Sequence, residues 1–107
     1  MTTNVEVELD EQTHSQTQRQ PPYAVILHND DNNTMDFVVL VLRKVFGYTV
    51  EKCIELMLEA HHHGRAVVWI GALEVAELKA DQIRSFGPDP AAVRAAHPLG
   101  VTVEPVA

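Results

Sequence analysis

Much of what functional classes need is scarce or missing in this chain. Its 107 residues hold one cysteine, Cys53, so no internal disulfide can form. On an apolar helical stretch that thiol reads as a small buried hydrophobe, which suits a reducing cytoplasm. Basic charge is sparse: eight Lys and Arg stand against fifteen Asp and Glu, for a formal net charge of −7. Phosphate binding needs clustered cations and these are scattered, which argues against nucleic acid and favours basic or ammonium partners. No run approaches the roughly 18 to 20 apolar residues that cross a bilayer, so no membrane segment is expected. There is no Cys pair, no His-Glu-x-x-His and no Gly-rich phosphate loop. Asp30 and Asp31 with a distant His could form an acid/base pair, but no Ser or Cys nucleophile has a recognisable setting. The expectation is a protein that catalyses nothing and carries no cofactor.

Residues 1–21 lack hydrophobic periodicity, hold Glu6, Glu8, Asp10 and Glu11 against Arg19 alone, and end at Pro21-Pro22. That composition matches neither a signal peptide nor an Arg-rich transit peptide, and predicts a flexible polar tail before one domain spanning 22–107. Tyr23 to His28 reads as a short apolar strand. A first helix is predicted over Thr34 to Phe46, with Asn33 as N-cap and Gly47 as its end. Its core stripe would be Val38, Val41, Leu42, Val45 and Phe46. Met35, Phe37, Val39 and Leu40 are apolar too, which suggests a helix sandwiched between sheet and other helices, or one lining a groove.

Thr49 should cap a second helix to about His63, with Gly64 as its left-handed stop and a stripe of Val50, Cys53, Ile54, Met57, Leu58 and His61. A strand over Arg65 to Ile70, a helix over Leu73 to Phe86 and a strand over Gly100 to Glu104 complete the order. Strand, helix, helix, strand, helix, strand implies a small α+β domain, a short antiparallel sheet packed against helices. His61, His62 and His63 invite a metal reading, but consecutive helical residues point about 100° apart and cannot converge on one ion.

The most informative stretch runs from Val25 to Met35, where Val-Ile-Leu breaks into His28-Asn29-Asp30-Asp31-Asn32-Asn33 ahead of a helix. Oxygen acceptors stand beside an apolar helix start with no cation to balance them. The arrangement suits a small cation attached to something greasy, such as a free peptide amino terminus with a large first side chain. An ammonium has three N–H donors and no acceptor, and an amide oxygen, a carboxylate and a neutral imidazole nitrogen would satisfy it.

Val25 to Asp31 followed by Met35-Asp36-Phe37-Val38 closely resembles the signature of the ClpS adaptors of bacteria and plastids. Leu56 to His61 with Gly64, Glu74-Val75-Ala76-Glu77 with Lys79, and His97-Pro98-Leu99 resemble three further blocks of that family, in order and spacing. The resemblance implies a non-enzymatic cytoplasmic adaptor, expected to be a monomer. It would deliver proteins with amino-terminal Leu, Phe, Tyr or Trp to the amino-terminal domain of the ClpA unfoldase. By the same resemblance, Asn29, Asp31 and His61 hold the α-amino group, and Asp30 and Asn33 stand at the rim. Met35, Val38, Met57, Ala60 and Leu99 line the side-chain pocket, while Glu74 and Lys79 dock on the unfoldase. Five positions, in three places, depart from the pattern. Asn32-Asn33-Thr34 replaces Tyr-Thr-Pro, removing a rim aromatic; Ala60 replaces a larger aliphatic and could widen the pocket; Ala72 stands where a Thr cap is common. An unfoldase-docking modulator of the same fold, with altered degron recognition, is the alternative.

Overall fold

A computed structural model describes residues 21–93 and 97–106; the tail expected before Pro21 lies outside them. Strand β1 (Tyr23–His28) leads to helices α1 (Met35–Phe46) and α2 (Val50–His63), strand β2 (Arg65–Gly71), helix α3 (Leu73–Ser85) and strand β3 (Val101–Pro105). The sheet order is β2-β1-β3 with both pairings antiparallel. The apolar strand is therefore central, which explains why Ala24 to Leu27 are buried without interruption.

On one face of the sheet Val25, Leu27, Ala66, Val68 and Val101 join the core with buried residues of all three helices. The register pairs Leu27 with both Ala66 and Val101, so one residue per strand meets the helices at that level. The opposite face carries a polar chain across the strands. Arg65 donates to Glu104 at 2.8 Å, Thr102 donates to the other Glu104 oxygen at 3.0 Å, and His28 Nε2 lies 2.7 Å from Thr102 Oγ1. The Arg65 hydrogen bond, followed by that of Thr102, holds the Glu104 carboxyl below the usual range.

Thr49 caps α2 by accepting from Lys52 N at 3.2 Å, as its position suggests. Gly64, at φ 87°, ends it and returns its N–H to Ala60 at 2.8 Å. The first helix is capped differently from expectation. Thr34, not Asn33, is the N-cap, accepting from Phe37 N at 3.2 Å. The Asn33 side chain instead donates its amide to Asp30, and its oxygen caps no helix N–H among the described residues. Ala72 gives α3 no side-chain cap.

The helix faces also need correction. In α2 the buried side is Cys53, Leu56, Met57 and Ala60, whereas Val50, Ile54 and Leu58 stay exposed. An apolar arc this wide offers two overlapping stripes, and contact with α1 and β2 selects the one centred on Cys53 and Met57. Burial pushes the Cys53 thiol up, so it stays protonated and behaves as a core hydrophobe. In α1 Phe37 is buried and Phe46 only half so. Met35 is 53% and Leu40 46% exposed, so this helix is not sandwiched on all sides.

Candidate functional site

The loop after β1 is shaped by its own side chains. Asp30 Oδ1 accepts from Asn32 N at 2.8 Å, and its other oxygen accepts from the Asn33 amide, a turn closed by a carboxylate on the backbone two residues on. Both Asp30 oxygens are thus engaged in holding the loop. Asn29 Nδ2 donates to Asp31 Oδ1 at 3.4 Å, which fixes the amide orientation and leaves Asn29 Oδ1 as an open acceptor.

Two backbone bonds stitch distant segments to this loop. Asn29 N donates to Gly64 O at 2.9 Å, bringing in the end of α2 with His61; His28 N donates to Gly100 O at 2.9 Å, bringing in Leu99. The left-handed Gly64 is what turns its carbonyl back after α2. Between these segments lies a cavity of about 150 Å³. Leu27, Val38, Met57, Ala60 and Leu99, all buried, make an apolar floor, with the exposed Met35 at its edge. Asn29, Asp30, Asp31, Asn33, His28 and His61 supply the polar mouth. Among the described residues no Lys or Arg lines it.

Every residue expected to hold an α-amine, form the rim or line a side-chain pocket borders this one cavity. One acceptor there is unspent. Among the described residues Asn33 Oδ1 has no partner although it is buried, which costs roughly 1–3 kcal/mol until a donor arrives. Asp89 is a second constraint. It is only 4% exposed, and one of its oxygens accepts from Thr34 N at 2.8 Å and from Thr34 Oγ1 at 2.7 Å, while the other accepts from Ala91 N at 2.8 Å. Burial alone would raise this carboxyl, but the Thr34 hydroxyl and amide and the Ala91 amide outweigh it and hold it below the usual range. Among the described residues no group of three or more His, Cys, Asp or Glu could hold a metal ion.

A family model described as ATP-dependent Clp protease adaptor protein ClpS matches residues 18–102. The chain belongs to the ClpS family. A ClpS adapter of Ruegeria sp. (strain TM1040) is 44% identical over 92 residues, covering 86% of this chain and 77% of the relative. One from Pectobacterium carotovorum is 41% identical over 87 residues, covering 79% and 77%. The solved structure of Agrobacterium tumefaciens ClpS2 bound to L-phenylalaninamide is 34% identical, with a TM-score of 0.71 over 81% of this chain and 99% of that one. The α+β fold and the adaptor family are those the sequence resemblance implied.

Glu74 and Lys79, compared with the ClpS docking positions, are not brought together. Five residues apart on α3, they point about 140° from one another. Glu74 is exposed. Lys79 Nζ donates to Val45 O at 2.9 Å and lies 5.8 Å from the Phe46 ring centre, so it holds the end of α1. Sequence reasoning missed Asp89, as well as Leu27 and His28 in the cavity wall. The signal for Asp89 was an acidic residue between two prolines, which lets a carboxylate collect the amides of its own turn.

Proposed function

We propose that this ClpS chain binds proteins that begin with a free α-ammonium and a large hydrophobic residue, and hands them to a ClpA-type unfoldase without chemistry of its own. The observation that carries the reading is the cavity itself: an acceptor-rich mouth, with no Lys or Arg among its described lining residues, over an apolar floor. Asn29 Oδ1, Asp31 and a neutral His61 match the three donors of an ammonium. Each such bond contributes roughly 1.5–3 kcal/mol, burying a Leu or Phe side chain a similar amount, and association costs about 4 kcal/mol or more, which sets low-micromolar affinity as the upper bound. The ligand of the A. tumefaciens relative, L-phenylalaninamide, has this chemistry, an amine beside a benzyl group.

A cavity of about 150 Å³ is the size that accepts a benzene ring. Phe and Leu are therefore the preferred first residues and Trp a poorer one. Ala60 is what leaves this room, so Ala60→Leu should cut Phe-peptide affinity at least about tenfold while leaving the fold intact by circular dichroism.

Delivery is tested by reconstituting a ClpA-type unfoldase and its peptidase with a reporter exposing amino-terminal Phe. Addition of this protein should speed its degradation, and not that of the same reporter beginning with Gly. Equal rates with and without the protein would turn the reading towards a modulator that docks without carrying degrons.

A further inference from the structure

The face of the sheet turned away from the helices is polar along β3 and apolar along β2. Directly opposed residues of antiparallel strands share a face, and the register sets Val67 against Ile26 and Ile70 against Ala24. Neither Ala24 nor Ile26 belongs to the core cluster that the helices build on Val25 and Leu27. On this second face Val67 is 44% and Ile70 52% exposed, and neither packs on that cluster among the described residues. The edges of the sheet are less open than the face. On β3, Val101 O already accepts from Arg84 at 2.9 Å, and Pro105 has no N–H to offer. On β2 the register shifts opposite Val25 and Ile26, and Val68 O accepts from the Tyr48 hydroxyl at 2.7 Å. An added strand finds few partners at either edge, which leaves packing on the face.

One segment of this chain has both the pattern and the tether to cover that face. Residues 1–21 as a whole show no periodicity, but within them Val5, Val7 and Leu9 alternate with Glu6, Glu8 and Asp10. Such alternation gives an extended segment one apolar side and one acidic side. Because β1 is the central strand, the chain ahead of it enters the sheet between β2 and β3, where Tyr23 faces Gly71 and Pro105. Extended at roughly 3.3 Å per residue, residues 10–21 outreach the six-residue strand along which they must double back. A tether this short also raises the local concentration of the segment at the face above that of a separate partner.

We propose that residues 5–9 of this same chain pack across the open face of the sheet, with Val5, Val7 and Leu9 against Ile26, Val67 and Ile70. The carboxylates of Glu6 and Glu8 then point to water. The degron cavity lies between α1, α2 and the loop after β1, so the contact leaves it free and the inference stands independently of the degron reading.

The test is paramagnetic relaxation enhancement on the full chain carrying Thr3→Cys, spin-labelled at that thiol while the buried Cys53 stays unreacted. The amide signals of Val67 and Ile70 should lose intensity, whereas those of the exposed Leu40 on α1 and Leu58 on α2 should keep theirs. Adding Val7→Asp, a change ahead of the domain that should leave the circular dichroism spectrum as it was, should restore the Val67 and Ile70 signals. Glu8→Gln, on the water side, should not. Equal losses on the sheet and helix sides, or a loss undiminished by Val7→Asp, would overturn the proposal. So would no loss at all, which leaves the face to another partner. A loss that appears when spin-labelled chains are mixed with isotope-labelled chains bearing no spin label would overturn it too, by giving the face to a second copy.

Discussion

The two ends of α1 are held by opposite charges supplied from later in the chain, yet only one of them borders the cavity. At the N-terminus the Asp89 carboxylate takes both the amide and the hydroxyl of Thr34; at the C-terminus the Lys79 ammonium takes the Val45 carbonyl above the Phe46 ring. An anion at the first turn and a cation at the last both match the helix dipole. Their consequences differ because of what lies beside them. Asp89 fixes the helix start from which Met35 and Val38 reach the cavity. Lys79 lies over Phe46, whose ring stacks on that of Tyr48 with centroids 5.2 Å apart. Similar electrostatics thus fix the edge of the cavity at one end and tie α1 to α3 at the other.

The largest effect that separates the two ends is expected from Asp89→Ala. It leaves the Thr34 and Ala91 amides without their acceptor, and should lower both Tm and the affinity for a Phe-peptide, the latter about tenfold. If that variant does not fold, Asp89→Asn keeps the shape and should still weaken binding several-fold. A variant that loses Tm and keeps native affinity would break the claim that this end sets the site. Next in size is Lys79→Met, which removes one hydrogen bond and should cost about 1 kcal/mol, a few degrees of Tm, with peptide affinity within about twofold of native. A large loss of binding there would show that the far end is coupled to the cavity after all.

Thr34→Ala deletes a cap worth about 1 kcal/mol, and Thr34→Ser should restore it. The smallest effect concerns pH. Asp89 has a lowered carboxyl in the folded chain, so its contribution is present above the ordinary value of 3.8 and is lost as pH falls through the lower folded one. Thermal melts at descending pH should therefore show a fall below about 4 that is reduced in Asp89→Asn.

The way each end is held also explains what could be read from the sequence. Local chemistry was legible: β1, the Thr49 cap and the Gly64 stop stand where propensity and capping put them, because each depends on neighbours within four residues. Asn29, Asp31, His61 and Leu99 share one cavity because two backbone bonds close around the end of β1. The start of α1 was not legible. Asn33 and Thr34 can both cap, and the choice is made by Asp30 taking the Asn33 amide and by Asp89, 55 positions beyond Thr34, taking the Thr34 hydroxyl. The buried face of α2 was misjudged for a similar reason, since spacing alone cannot say which edge of a wide apolar arc meets the sheet. Lys79, compared with a docking position, is half-buried by a carbonyl that no local pattern points to.

The central claim is that the polar mouth and the apolar floor act together on one ligand. The most direct test is the anisotropy of a labelled peptide beginning with Phe, measured with its terminus free and acetylated, beside the same pair beginning with Ala. The account predicts low-micromolar binding for free Phe alone, with acetylation or truncation to Ala each weakening it by at least about thirtyfold. Equal binding of the free and acetylated Phe peptides would contradict it, because the mouth would then hold no ammonium.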